Sequence, residues 1–233
     1  MQPIELLAIL GRGIQQIVAD EGWTLTDNLE MCDEKGAHLP VRIPADDAKP
    51  YCLIGGGELN LRAGVVLCRE YVSSLKAVVC AYGVRSEYLA RVGGPSESEI
   101  MSARLEQLLT PAQEPNVVVW PRDHIAQDER GKSGSGREIQ NVFELAVERG
   151  WKTVGLVTIA VHYARALLMA QRHLMNPRFA HLTLQCYVSE ELLLAHDLAF
   201  FGPLVREMHG SKAFMRSFFL EQRGINCLLA VNY

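Results

Sequence analysis

The apolar positions of this chain fall into short continuous runs, separated by longer stretches with helical spacing. "IELLAIL" (4–10), "YCLI" (51–54), "KAVVCAY" (76–82), "NVVVW" (116–120), "TVGLVTI" (153–159) and "LTLQCYV" (182–188) each predict a strand. The runs do not alternate apolar with polar, as expected of strands covered on both faces of a parallel sheet. Breakers follow most of them: Gly11, the trio Gly55, Gly56 and Gly57, Gly83, and Pro121.

Between the runs the spacing turns helical. Residues 59–72 carry Leu61, Val65, Cys68 and Val72 on one face. Residues 97–109 open with the box Ser96-x-x-Glu99 and stop before Pro111. Residues 137–149 stop at Gly150, and a further helix spans about 162–175. From Ser189 onward the pattern is mostly helical, with a second start at Ser211. Strand–helix alternation of this kind predicts an open, doubly wound, mostly parallel α/β sheet with helices on both faces. We read 1–233 as one domain with a helical C-terminal extension (189–233). Residues 20–50 are polar and contain proline, and read as an inserted loop or lid whose Asp46 and Asp47 are either ligands or solvated.

At 233 residues, 48% hydrophobic and 21% charged, the chain can bury a core without a metal or disulfide staple. A net charge of −4 argues against a general nucleic-acid binder. Cys32, Cys52, Cys68, Cys80, Cys186 and Cys227 lack zinc-knuckle or redox spacing, and read as reduced core thiols of a cytoplasmic protein. The N-terminal apolar run lacks the basic flank of a signal peptide, and no run reaches the ~20 residues of a membrane span.

In doubly wound sheets, ligands sit beyond the carboxyl ends of the strands. Gly11 and Gly13 follow the first run, Gly55–Gly57 the second and Gly83 the third. Such glycines either let backbone N–H groups approach an anion closely or simply make tight turns. "ERGKSGSGRE" contains Gly131-Lys132-Ser133, but Ala126 stands where a P-loop needs glycine and no strand precedes it. We read this stretch as a Gly/Ser loop, either closing over a site or solvated. Glu97 lies in a helix's first turn, where the dipole alone would favour it. "LVTIAVHYARA" (156–166) ends a strand in Thr158, then places His162 and Arg165 on one helix face. The arginine suits a carboxylate or phosphate, and the histidine can bind or move a proton. The remaining histidines offer no metal-ligand spacing, and we assign no metal.

In order, these stretches resemble a known family. "LVTIAVHYARA" is similar to the LVTS-x-x-H-x-x-RA signature of the YdcF-like (SanA/ElyC-type) domain-of-unknown-function family, matching at Thr158, His162 and Arg165. "SGSGREIQN" resembles its S-x-x-T-x-E-N stretch, with Ser135 and Asn141 matching. "PSESEIM" resembles its S-E-A-x-x-M helix start, with Glu97 as the glutamate, and "LGRGI" its LG-x-G-I loop. The likeness covers roughly residues 4–175. Glu138 stands where the family has threonine, Gln140 where it has glutamate, and "VCAYGVRS" where it has a Ser-Gly-Gly turn.

The resemblance implies a Rossmann-like domain. It also implies an association with S-adenosylmethionine in some relatives and with cell-envelope biogenesis in others. The expected site therefore joins Gly11, Gly13, Gly55, Gly56, Gly57, Gly83, Glu97, Ser135, Asn141, Thr158, His162 and Arg165 around a small anionic or nucleotide-like molecule, with His162 as the candidate catalytic group. The alternatives are a hydrolase or transferase acting on a phosphorylated or lipid-linked envelope precursor, and a non-catalytic interaction protein. In the latter, the Phe- and Met-rich C-terminal segment would form a homodimer face or a partner groove rather than a helical layer over the sheet.

Overall fold

The computed structural model describes residues 3–16, 22–25, 56–83, 85, 89, 93–109, 116–118, 134–210 and 212–230. Five parallel strands form one sheet: β1 (Leu6–Ile9), β4 (Ala77–Cys80), β5 (Asn116–Val118), β6 (Thr153–Thr158) and β7 (Thr183–Val188). Their order is β5-β4-β1-β6-β7. The chain builds outward from β1 to β4 and β5, returns, and builds outward again through β6 and β7. This is the doubly wound, Rossmann-like order, and it reverses between β1 and β6.

The helices divide between the faces. On one side, α1 (Gly57–Glu70) and α2 (Glu97–Leu108) pack with Leu7 and Ile9. On the other, α3 (Ser135–Glu148) and α4 (Ala160–Leu174) pack with Leu6, Ala8 and Leu10. Successive β1 side chains serve opposite cores, which is why the strand reads as an unbroken apolar run. Then α5 (Ser189–His196) and α6 (Leu198–Gly210) add Leu193 and Phe201 to the α1 side. The last helix, α7 (Lys212–Ala230), lies against α4 and brings Leu228 to the opposite core. The C-terminal helices thus pass from one face to the other.

Two readings change. Part of the expected loop at 20–50 is a strand: β3 (Trp23–Leu25) pairs antiparallel with β2 (Ile14–Gln16). Trp23, Thr24 and Leu25 are strand-favouring residues. Leu25 is buried, and the Trp23 ring lies where a Gly94 side chain would otherwise sit. Cys227 is also not a core thiol. Its "INCLLA" run belongs to the surface helix α7, and its side chain is exposed. Cys68, Cys80 and Cys186 are free thiols, the first two buried. The expected strand at 51–54, Gly55, Asp46, Asp47, Cys32, Cys52 and most of the Gly/Ser loop lie outside the described residues. No helix among the described residues is long and apolar enough to cross a membrane.

A buried amide fixes the end of β1. Asn60 of α1 donates to the Leu10 carbonyl at 2.9 Å and accepts from the Ser189 hydroxyl at 2.6 Å. It therefore ties β1, α1 and α5 at the carboxyl edge. Replacing Asn60 with alanine strands both partners in a dry interior. We expect a loss of about 2 kcal/mol or more in urea-denaturation stability.

Candidate functional site

The strand reversal places the ends of β1 and β6 side by side, and the expected residues collect there. After β1 the backbone runs through Leu10, Gly11, Arg12 and Gly13. The Gly11 N–H donates to Glu138 Oε1 at 3.2 Å, and the Gly13 N–H donates to Glu97 Oε1. A side chain on Gly11 would have its Cβ 2.6 Å from Glu97 Oε1 and 2.9 Å from the Ala81 methyl. No residue but glycine fits without displacing one of them. Ala81, just past β4, is itself held at φ 42°, a left-handed conformation that alanine rarely adopts.

Glu97 therefore has a role beyond the helix dipole. The capping box works as the sequence predicts: Glu99 N–H donates to Ser96 Oγ, and Ser96 N–H to Glu99. That leaves Glu97 free to reach across to the β1 loop. Glu138 was not among the expected residues. It sits one turn into α3, behind the loop after β4, and accepts from the Tyr82 backbone as well as from Gly11. Burial pushes Glu138 up to about 8, and the neighbouring Glu97 charge adds to the rise. Burial also raises Glu97, against the pull of the Gly13 and Arg12 N–H groups. Asn141, one turn further along α3, donates to the Tyr82 carbonyl at 3.3 Å, and Gly83 packs against Glu138.

The "HYAR" segment forms the second half. Thr158 ends β6 and His162 opens α4; both are buried. His162 Nδ1 lies 3.0 Å from Glu221 Oε2, a carboxylate carried in by α7. Arg165 grips the same carboxylate through Nε and, at 3.1 Å, through Nη2. Arg12 Nη1 stands 3.8 Å from it. Burial would raise Glu221, but its bonds to His162 and Arg165 outweigh that and hold it down at about 2. Burial lowers His162, with Glu221 opposing, so we place a neutral ring in this setting. Its Nδ1–H then donates to Glu221, and Nε2 is left as an acceptor. Among the described residues Nε2 has no hydrogen-bond partner, and neither has the Thr158 hydroxyl.

A second carboxylate lies at the same end of α4. The Ala160 N–H, in the first turn of α4, donates to Glu190 Oε2 at 2.8 Å, and His209 of α6 contacts the other oxygen at 3.3 Å. Gly56 and Gly57 open α1 beside this point. Gly56 has φ 112°, and Ile159 lies 2.6 Å from where its Cβ would sit. Arg12 joins the two halves, since its charge acts on Glu97 and Glu138 on one side and on His162 and Glu221 on the other.

Gly11, Gly13, Glu97, Gly83 and Asn141 therefore gather on the Glu138 side, and Thr158, His162 and Arg165 at the end of β6. Ser135 does not join them: it begins α3, half-buried, with no hydrogen bond to either group. Sequence reasoning missed Arg12, Glu138, Glu190 and Glu221. Arg12 lay inside the "LGRGI" stretch, whereas nothing local marked Glu221, which is 56 residues from Arg165. No group of three or more His, Cys, Asp and Glu side chains suited to a metal ion occurs among the described residues. No known protein family, curated protein or solved structure matches the chain.

The two halves should titrate with opposite sign. Glu138 binds its proton more tightly folded than unfolded, so stability held below 4.5 is lost as pH rises toward about 8. Glu221 is the reverse: its contribution is present above 4.5 and lost as pH falls toward about 2. In melting scans, Glu138→Gln should gain on wild type across the upper window, by about 2–4 °C for each kcal/mol of linkage. Glu221→Gln should flatten the acid limb instead.

Proposed function

We propose that this chain is a YdcF-like small-molecule-binding protein, whose anionic or nucleotide-like ligand sits at the carboxyl edge of the sheet. The observation that carries this reading is the pair of buried, unpartnered polar atoms at the end of β6, Thr158 Oγ1 and His162 Nε2. A buried polar group without a partner is costly, and a ligand that pairs with it recovers that cost. Both atoms lie at the reversal between β1 and β6, where such sheets bind nucleotides.

The carboxylates narrow the chemistry. Glu97 and Glu138 suit ribose hydroxyls or an ammonium group, and a neutral His162 accepts a hydrogen bond. S-adenosylmethionine carries hydroxyls, an ammonium and a carboxylate, and so fits better than a bare phosphate. The free thiols support a reducing, cytoplasmic setting.

The test is a thermal-shift screen beside native mass spectrometry, using nucleotides, S-adenosylmethionine and sugar phosphates. A ligand at about a hundred times its Kd should stabilise wild type by about 2.7 kcal/mol. Thr158→Val and His162→Ala should lose most of that shift while keeping the unliganded fold. No shift with any of these compounds would end the reading.

A second reading, a hydrolase or transferase acting on a phosphorylated or lipid-linked envelope precursor, is favoured by one further observation. Arg12 acts on both a carboxylate-oriented His162 and Glu138, whose value near 8 keeps it largely protonated at neutral pH. That supplies a base and an acid. On this reading His162→Ala abolishes product release yet leaves ligand binding measurable. Exposed Phe200, Met215, Phe218 and Phe219 on α6 and α7 support a third role for that layer, as a face for a second copy of the chain.

A further inference from the structure

Glu221 sits as a bound ligand would. Three basic side chains from two separate parts of the chain converge on its carboxylate: Arg12 from the loop after β1, and His162 and Arg165 from α4. Arg165 approaches with two donors, one to each oxygen, as guanidinium groups take free carboxylates. The side chain of Glu221 is only 9% exposed. One turn on, Gly224 makes room for the arginine: a Cβ there would lie 2.7 Å from Arg165 Cδ. The helix that delivers the carboxylate packs on α4 along one side and leaves an apolar face exposed on the other. Met215, Phe218, Phe219 and Leu220 are all about half exposed or more.

We propose that Arg12, His162 and Arg165 form a carboxylate-binding site occupied in cis by Glu221, and that a ligand carboxylate enters by displacing it, with α7 as the gate. This rests on the ligand site proposed above and names the group of the ligand that faces Arg165. The unpartnered Thr158 hydroxyl and His162 Nε2 lie beside this seat at the end of β6, ready for the rest of the molecule. Binding and release of α7 are then coupled, because the internal carboxylate and the incoming one compete for the same donors. The apparent affinity of the wild type is lowered by the fraction of time that the seat is filled.

The test uses acetate and formate as probes on the full chain, with chloride as the ionic-strength control. Glu221→Ala should melt about 4 °C or more below wild type. Acetate should restore it saturably, and the double variant Arg165→Ala/Glu221→Ala should show no restoration. Glu221→Gln, which keeps the shape and drops the charge, should respond at acetate concentrations about tenfold below those that wild type needs. If Glu221→Ala does not fold, the Glu221→Gln comparison decides alone. Restoration that survives loss of Arg165, or equal acetate responses in Glu221→Gln and wild type, would overturn the proposal. Acetate rescue with no response to any nucleotide-like compound would keep the carboxylate seat and remove the nucleotide-like ligand. A nucleotide-like ligand that binds wild type and Glu221→Gln equally well would keep the ligand site and remove the displacement.

Discussion

The reversal of strand order between β1 and β6 is the constraint on which the site depends. Strand β1 pairs with β4 on one side and β6 on the other, in parallel and in register from Leu6 to Ile9. The crossovers leaving β1 and β6 run to opposite faces, so the loops beyond their carboxyl ends diverge at the place where sheets of this kind bind ligands. Several unusual features stand there together: the crowded Gly11, the left-handed Ala81, two raised carboxylates, and the unpartnered Thr158 hydroxyl and His162 Nε2. Asn60 holds this edge by tying the Leu10 carbonyl, just past β1, to α1 and α5.

This edge of the sheet is lined in an unexpected way. Backbone N–H groups after β1 and at the start of α4 are the usual anion receptors of this architecture. Here they donate to the chain's own carboxylates: Gly11 to Glu138, Gly13 to Glu97 and Ala160 to Glu190. The Arg165 guanidinium likewise faces Glu221. The protein thus fills each of these places, where a phosphate would dock, with a carboxyl group of its own. A ligand that binds without displacing these groups must bring hydrogen-bond donors, and one that brings an anion must move a carboxylate aside.

Much of this was legible in the sequence, for a local reason. The five strands of the sheet and the helices around them follow from apolar runs, caps and breakers that act over a few residues, as at Ser96–Glu99 and Gly150. Gly11, Glu97, Thr158, His162 and Arg165 were legible because strand ends and helix starts mark the carboxyl edge. What local pattern cannot carry is pairing across the chain. Glu221 and Arg165 meet only because α7 folds back on α4, and in sequence Glu221 is one more charged residue in an amphipathic helix. Glu138 stood out only as a departure from the family's threonine, and its significance comes from its contacts with Gly11 and the Tyr82 backbone. Trp23–Leu25 was hidden by polar neighbours, since three residues are too few for a period to show.

Arg12 decides how these carboxylates coexist. Glu138 is buried beside a half-buried Glu97, and like charges so close cannot both ionise cheaply. Glu138 responds by holding its proton, while Glu221 keeps its charge because Arg165 and His162 surround it. Arg12 lies between the two groups and is the cation that both can use. Loss of Arg12 would therefore act on both sides at once, raising Glu97 and Glu138 further and taking one of three basic partners from Glu221.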